Sequence, residues 1–325
     1  MVEAAAPVGT TGSAASPEST NHGTLIWERP RAKLWEKDWV LFILFMFPNL
    51  FLLSLFTFKP AIQNLIISFQ RVNLLNNKTR WIGLDNYRYI FNHPTFQQVL
   101  WNTLYFTVCT LVGVLVLGLL VALLLNQKLR FRDGARAIVF APYLLSGAAI
   151  GIVWAYIFDP RFGLLAQILS WVGISSPNWL NDPNWAMPAI IVVYVWKNLG
   201  FAATIFLAGL QAIPQDLYEA AKIDGANAWW RFRSVTLPML SPISFFLLVT
   251  TVLGTFQAFD IQRVMTKGGP AYATTTLVYY VYDQGFGQAA NWGRAAAAAL
   301  TLFVTMLAVT IIQFRASRDQ VHYDG

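Results

Sequence analysis

The chain has 325 residues, of which 56% are hydrophobic and only 12% are charged. That charged fraction is about half of what an ordinary soluble domain carries, so the composition predicts a membrane protein, and the many aromatic residues suit bilayer interfaces. The net charge of +7 comes from basic residues that flank apolar runs, which disfavours nucleic acid as a partner, and the single cysteine, Cys109, permits no intrachain disulfide.

Residues 1–38 precede the first apolar run, and we expect this N-terminal segment to be disordered at least to about residue 24. That part consists almost entirely of small and polar residues, which bury too little surface to offset the loss of chain entropy. It also lacks the charged start and apolar core of a signal peptide. The three histidines, His22, His93 and His322, lie far apart in the chain, so no metal site is expected.

Six apolar runs predict an all-α integral membrane protein with six transmembrane helices. A run of about 20 residues, rising about 1.5 Å per residue, spans the roughly 30 Å hydrocarbon core. The runs are residues 39–58, 99–125, 137–158, 185–213, 237–259 and 295–314. Together they define a membrane domain over residues 39–318, followed by a short C-terminal tail of residues 319–325. Pro48, Pro142 and Pro188 lie inside runs and predict kinks.

The distribution of Lys and Arg predicts that both termini lie in the cytoplasm. With that orientation thirteen cations fall inside and nine fall outside, and the clusters next to the first two runs are compact, which is where the positive-inside rule has most force. The inner cations are Arg29, Arg31, Lys33, Lys37, Lys128, Arg130, Arg132, Arg136, Lys222, Arg231, Arg233, Arg315 and Arg318. The outer cations are Lys59, Arg71, Lys78, Arg80, Arg88, Arg161, Arg263, Lys267 and Arg294.

Residues 214–236, between the fourth and fifth runs, predict a helical hairpin at the cytoplasmic surface. Asp216 is the expected N-cap, Gly225 is expected to end the first helix, and a second helix follows through Trp229. Pro238 stands near the start of the next span, where a missing amide donor costs little. Such an element suits either docking into a groove on a partner or resting on lipid headgroups, and composition favours neither.

The spacing of this segment resembles the EAA motif of permease subunits of bacterial ATP-binding cassette (ABC) importers. The match comprises Glu219, Ala220, Ala221, Gly225, Leu237 and Pro238, with Val235 in place of the usual isoleucine. The resemblance implies the type I ABC importer permease fold, in which this segment is the coupling helix between helices 4 and 5. The residues that it assigns to ATPase coupling are Glu219, Ala220, Ala221, Asp224, Gly225, Leu237 and Pro238. Glu219 would contact the ATPase, the alanines would permit close packing, and Gly225 would set the turn.

The same resemblance implies the partners of the chain. They are a second, related permease subunit that forms a heterodimer, two copies of a cytoplasmic ABC ATPase, an extracytoplasmic substrate-binding protein, and membrane lipid. The sequence contains no G-x-x-x-x-G-K-[ST] phosphate loop, so ATP and Mg would be bound by the partner ATPase and the chain itself would bind no cofactor. The resemblance therefore implies a non-catalytic subunit in the bacterial cytoplasmic (inner) membrane.

Further motifs resemble the carbohydrate branch of these importers. They are GLDNY at residues 83–87, NTL at 102–104, VWK at 195–197, AGLQAIP at 208–214 and KGGP at 267–270. Residues 242–249 and 273–286 resemble the first permease subunits of glycerol-3-phosphate importers. The implied substrates are glycerol-3-phosphate and glycerophosphodiesters such as glycerophosphocholine, with a sugar or oligosaccharide as the alternative.

Six residues are candidates for lining the substrate path: Lys197, Trp196, Asn198, Phe256, Gln257 and Asp260. A charge at the position of Lys197, near the middle of the fourth run, is costly unless it faces protein or a water-filled cavity. Lys197 would attract a phosphate, or it would instead pair with a neighbouring helix or reach one surface. Asp260 would line the path or simply mark where the fifth run leaves the membrane, and Trp196 would pack at an interface.

Two other classes of function are disfavoured. A stand-alone secondary transporter would be expected to carry ion-coupling carboxylates in mid-membrane, and the runs contain no Asp or Glu apart from Asp260 at a boundary. A membrane enzyme acting on lipid would need a paired acid and base or a metal cluster near one interface, and the sequence offers neither.

Overall fold

The computed structural model describes residues 34–73, 78–127, 130–288 and 290–317. The expectations for residues 1–33 and for the tail of residues 319–325 lie outside the described residues. The chain divides into two compact units, one ending at Phe58 and the other beginning at Lys59.

The described part of the first unit consists of helix α1, Leu34–Leu53, and a π-helical turn, Ser54–Phe58. Every side chain from Trp39 to Phe58 is exposed. A helix that is apolar all round is stable only where its surroundings are apolar too, so this unit suits contact with lipid tails or with another membrane helix.

The regular elements described in the second unit are helices, apart from one short hairpin. Its elements are α2 Lys59–Ser68, β1 Gln70–Asn73, β2 Lys78–Trp81, α3 Asp85–Asn92, α4 Pro94–Leu125, α5 Arg132–Leu144, α6 Gly147–Ile157, α7 Leu164–Trp171, α8 Pro183–Ala212, α9 Gln215–Ile223, α10 Ala228–Arg231, a π-helical turn Phe232–Thr236, α11 Leu237–Met239, α12 Ser241–Phe256, α13 Asp260–Met265, α14 Leu277–Phe286 and α15 Trp292–Ser317.

Within the part of the chain that the structure describes, five helical stretches are long and apolar enough to cross a bilayer, namely Trp39–Ser68, Pro94–Leu125, Pro183–Ala212, Ser241–Met265 and Trp292–Ser317. The third predicted run differs, because α5 and α6 meet at an angle of 100°. Leu145 and Ser146 between them are extended, with ψ of 147° and 134°, so the helix cannot continue through them. Counting this bent pair as one crossing gives the six that the sequence predicts.

The fifth predicted run is also interrupted. Helix α12 ends at Phe256, and α13 begins only at Asp260, after three residues outside the helix. Hydropathy does not reveal this break, because the whole stretch Ser241–Met265 is apolar enough to cross a bilayer.

The all-α fold class is confirmed, and the short β1–β2 hairpin is an addition to it that the sequence does not predict. Its antiparallel register pairs Gln70 with Trp81, and it is fastened by residues of the GLDNY stretch. The Asn86 side-chain amide donates to the carbonyl oxygens of Ser68 and Gln70 at 2.8 and 2.9 Å, and the Tyr87 hydroxyl donates to the Ser68 hydroxyl at 2.8 Å. The GLDNY stretch thus holds a short hairpin that alone would be marginal.

Helix α8 is the central helix of the second unit, with α4, α5 and α12 packed against it. Small residues set the close approach, as is usual between membrane helices. A Cβ placed on Gly118 of α4 would lie 2.8 Å from the Ala202 Cβ of α8, and one on Gly113 would lie 2.8 Å from Val195. Fully buried Phe106, Ile190, Leu240 and Leu247 fill the core between these helices.

Gly200 lies against the backbone of α5, so Gly200→Ala should destabilise the protein. The new Cβ would lie 2.8 Å from the Phe140 Cα of α5 and would also meet the Val139 carbonyl oxygen, which is backbone that cannot rotate away. We expect a loss of about 1–3 kcal/mol, seen as a lower thermal unfolding midpoint in detergent. Gly134→Ala is the matched control, because no atom lies within 4 Å of its added Cβ. Equal midpoints for both variants would contradict the packing described here.

Candidate functional site

A polar cavity of about 170 Å³ lies where the two broken helices meet α8. It is lined by Gly147, Tyr194, Lys197, Asn198, Gln257, Ala258, Phe259, Asp260 and Ile261. Helix α8 contributes Tyr194, Lys197 and Asn198, which share one helical face because they are three and four residues apart. The break after α12 contributes Gln257 through Phe259, and the first residue of α6 contributes Gly147. Both interruptions of predicted membrane runs therefore lie at one place.

Lys197 is half-buried, and its ammonium group contacts the C-terminal end of α5. Its Nζ donates to the Tyr143 carbonyl oxygen at 3.4 Å and lies 5.4 Å from the centre of the Tyr143 ring. Because α5 ends at Leu144, the Tyr143 carbonyl has no helical partner, and a cation is favoured at that end of a helix. The ammonium group has three N–H donors and this contact uses one of them, so Lys197 retains donors for another acceptor.

Asp260 shares the cavity with Lys197 without forming a close ion pair. Among the described residues, ion pairs within 4.0 Å join Arg88 to Asp85 and Arg136 to Asp133. The Asp260 carboxylate lies beside the first residue of α6, where a Cβ added to Gly147 would be 3.3 Å from Asp260 Oδ2. A cation and an anion thus face the same small space from different helices.

Tyr194 donates a hydrogen bond to a carbonyl oxygen near the end of α12, as Lys197 does at the end of α5. Its hydroxyl donates to the Gly254 carbonyl oxygen at 2.8 Å, and Gly254 is within the last four residues of α12, whose carbonyls lack helical partners. The Asn198 side-chain amide donates to the Tyr194 carbonyl oxygen at 2.8 Å. Side chains of α8 therefore satisfy freed carbonyls at the ends of both broken helices.

A second cavity, of about 240 Å³, shares Tyr194 and Asn198 with the first. Its other lining residues are Val114, Tyr143, Phe201, Thr250, Thr251 and Gly254. The Phe201 and Tyr143 rings stack at 4.9 Å, which gives this cavity a flat aromatic wall. The shared residues make it a continuation of the polar cavity along α8.

The structure brings together four of the six residues proposed from sequence for the substrate path: Lys197, Asn198, Gln257 and Asp260. Trp196 lies elsewhere, with its ring 5.4 Å from that of Trp154 in an edge-on pair. Phe256 is buried and lines a separate, apolar cavity of about 380 Å³ between α4, α12 and α15.

Tyr194, Tyr143 and Gly147 were missed by the sequence reasoning. Helical spacing from Lys197 would have indicated Tyr194, which precedes it by three residues. Tyr143 and Gly147 enter the site only through the 100° bend, which leaves no mark in the hydropathy of the sequence.

The predicted helical hairpin at residues 214–236 is present, with α9 and α10 as its helices. Helix α9 begins at Gln215, after Pro214, so the expected N-cap Asp216 is wrong and this residue lies in the first turn. The end of α9 is a Schellman motif, in which the Ala226 amide donates to the Ala221 carbonyl and the Gly225 amide to that of Lys222. Gly225 has a φ of +78°, which glycine adopts without steric cost.

The two alanines of the motif differ in burial. Ala221 is only 5% exposed and packs within its own chain, whereas Ala220 and Glu219 are exposed. Ile223 is 86% exposed and Trp229 is 67% exposed on the same hairpin. We call Glu219, Ala220, Ile223 and Trp229 the docking surface. Ala221 is therefore not available to pack against a partner.

A hydrogen bond ties α9 to the start of the fifth membrane crossing. The Tyr218 and Thr236 hydroxyls lie 3.0 Å apart, and Thr236 is buried at the end of the π-helical turn. Leu237 and Pro238 follow directly in the exposed α11, and the chain then enters the core at Leu240, which is fully buried. The junction between α9 and α12 thus contains a π-helical turn, a rare element that is often found at functional sites.

The sequence and the fold identify the family to which the chain belongs. Residues 114–320 match the family described as binding-protein-dependent transport system inner membrane component, and the chain belongs to that family. It is thus a multi-pass inner-membrane permease subunit of an ABC importer, with the type I fold, and it is a translocation component rather than an enzyme.

Particular relatives refine this assignment. The chain is 37% identical over 277 residues to the sn-glycerol-3-phosphate transport system permease protein UgpA of Brucella abortus, covering 85% of this chain and 94% of that protein. It is 35% identical over 284 residues to the sulfoquinovosyl glycerol transport system permease protein SmoG of Agrobacterium fabrum, covering 87% and 92%.

A solved structure matches with a TM-score of 0.77 and 26% identity, covering 88% of this chain and 97% of the other. It is a chain of a bacterial alginate ABC transporter in complex with an alginate pentasaccharide-bound periplasmic protein.

The hydroxyl pair of Tyr218 and Thr236 should show measurable energetic coupling. Tyr218→Phe and Thr236→Val each remove one hydroxyl with little change of shape, so the double variant should be less destabilised than the sum of the two. We expect a coupling energy of about 0.5–1.5 kcal/mol in thermal unfolding of the purified complex. Tyr156→Phe, at an exposed tyrosine, controls for loss of a hydroxyl as such. Strictly additive effects would show that the two residues do not interact.

Proposed function

We propose that this permease carries glycerol-3-phosphate or glycerophosphodiesters such as glycerophosphocholine. The observation that supports this most is the convergence of Lys197, Asn198, Gln257 and Asp260 on one cavity at two helix breaks. The relatives support it too, since one is described by sn-glycerol-3-phosphate and another by sulfoquinovosyl glycerol, and both substrates contain a glycerol unit.

The charges of the cavity suit a small anion that also carries hydroxyl groups. Lys197 provides the positive charge, and because it is half-buried an ionic contact with it is stronger than one at the surface. Asn198 and Gln257 offer amide donors and acceptors, and the Asp260 carboxylate accepts from hydroxyls while repelling a phosphate. The substrate would therefore lie with its phosphate at Lys197 and its glycerol hydroxyls toward Asp260.

The orientation and partners form a second part of the proposal. Both termini and the docking surface would face the cytoplasm, where a pair of ABC ATPase subunits binds ATP and Mg. A second, related permease would complete a heterodimer, and an extracytoplasmic binding protein would deliver the substrate. When ATP closes the ATPase pair, force on α9 would pass through the Tyr218–Thr236 bond to α12, whose far end borders the cavity.

A sugar or oligosaccharide is the alternative substrate. The uncharged lining residues Asn198 and Gln257 are suited to sugar hydroxyls, and the Tyr143–Phe201 stack offers a flat surface to a sugar ring. The alginate transporter, which takes a polysaccharide, shares the fold.

Lys197→Gln should lower ATP-driven uptake of glycerol-3-phosphate, because the phosphate loses its charged partner. We expect a decrease of about tenfold or more in proteoliposomes that contain the full complex, and a smaller decrease for Lys197→Arg, which keeps the charge. Lys78→Gln, at an exposed hairpin position, is the control. Thermal unfolding of each variant separates this effect from loss of the contact with α5. Unchanged uptake by a stably folded Lys197→Gln complex would show that Lys197 does not line the substrate path. If the unaltered complex takes up neutral oligosaccharides but no glycerol-3-phosphate, the alternative substrate is favoured.

Glu219→Ala should weaken association with the ATPase, since Glu219 is an exposed carboxylate on the docking surface. We expect about tenfold less ATPase retained in co-purification, the size of one charge-assisted contact. Asp133→Ala is the matched control, because its side chain is 93% exposed on another predicted cytoplasmic segment. Equal retention by the two variants would exclude Glu219 from the contact.

A further inference from the structure

The guanidinium group of Arg263 in α13 lies over an aromatic ring rather than in an ion pair. One carboxylate residue is close to Arg263 in sequence, and another is next to the residue that provides the ring. Its Cζ lies 5.3 Å from the centre of the Tyr282 ring. Asp260, three residues earlier on the same helical face, and Asp283, next to Tyr282, are both described, and neither forms an ion pair with it within 4.0 Å. Arg263 is half-buried, so part of its guanidinium remains accessible.

An aromatic cluster connects Arg263 to the polar cavity. The Tyr282 ring lies 4.9 Å from that of Phe259 and 5.6 Å from that of Phe286, and the Phe259 ring stacks on Tyr279 at 5.8 Å. Phe259 itself lines the cavity that contains Lys197. Aromatic faces at this point give an arginine a fixed orientation, since cation–π contact restrains it without using its hydrogen-bond donors fully.

We propose that Arg263 and the rings of Phe259 and Tyr282 form an outer recognition site that receives the phosphate or sulfonate end of a polyol substrate before it reaches Lys197. The site would bind the anionic group through the two-pronged guanidinium, whose geometry matches a phosphate, while the rings contact the carbon face of the polyol. Arg263 lies on the predicted outer side of the membrane, where the substrate arrives. This inference rests on the anionic substrate proposed above.

The test measures uptake by proteoliposomes that contain the full complex, at increasing concentrations of the cognate binding protein loaded with glycerol-3-phosphate. We expect Arg263→Gln to lower the maximal uptake rate about tenfold, as for loss of one charge-assisted hydrogen bond, and to leave the half-saturating concentration of loaded binding protein unchanged. Arg263→Lys should recover part of the rate, because it keeps the charge but loses the two-pronged geometry. Tyr282→Leu should lower the rate by removing the support of the guanidinium. Lys267→Gln, an exposed cation four residues away, should leave both quantities unchanged.

Results other than these would overturn either the recognition site or the proposed substrate. A raised half-saturating concentration with an unchanged maximal rate would assign Arg263 to docking of the binding protein and overturn the recognition site. An unchanged rate and concentration for Arg263→Gln would overturn it as well. Failure of the unaltered complex to import glycerol-3-phosphate, with import of neutral oligosaccharides, would instead overturn the proposed substrate. Elution of each variant as an intact complex on size exclusion shows that a lower rate does not come from misassembly.

Discussion

The hydrocarbon core supplies no water to hydrogen-bond a freed peptide group, and the arrangement of this protein follows from that constraint. Two membrane crossings are interrupted, and each interruption leaves carbonyl oxygens without helical partners. Helix α8 satisfies one from each, through Lys197 at the end of α5 and Tyr194 near the end of α12. The interruptions are tolerated because they lie on the same face of the same helix.

This shared face explains why a charged residue sits in mid-membrane. The Tyr143 carbonyl offsets part of the cost of the Lys197 charge, and Lys197 also faces a polar cavity, as a charge within a membrane helix is expected to do. The structural and functional interpretations of Lys197 are therefore compatible, since a weak contact with a helix end keeps the ammonium in place without saturating its donors. The far end of α12 borders the cavity, and only α11 and Leu240 separate its first residue from Thr236, so one short stretch of chain connects the cavity to the α9–α10 hairpin.

Much of this architecture could be predicted from sequence because it depends on composition along the chain. Apolar runs locate the membrane crossings, the cost of burying a charge singles out Lys197, and glycine at position 225 indicates a helix end. Breaks in the helices could not be predicted in this way, because they depend on backbone angles. The bend at Leu145 and Ser146 depends on two extended residues whose side chains are as ordinary as those around them, and it brings Tyr143 and Gly147 to the site. Likewise, Trp196 adjoins Lys197 in sequence but points about 100° away around the helix, as the helical period requires.

The burial of Ala221 beside the exposed Ala220 has a consequence for how this motif varies among relatives. The two neighbours are therefore under different constraints, since the chain itself encloses Ala221, whereas only a molecule that meets the hairpin could limit the size of the side chain at position 220. Changes at position 221 should therefore be accompanied by changes elsewhere in the same gene, whereas changes at position 220 should be matched in the gene of whatever protein meets the hairpin.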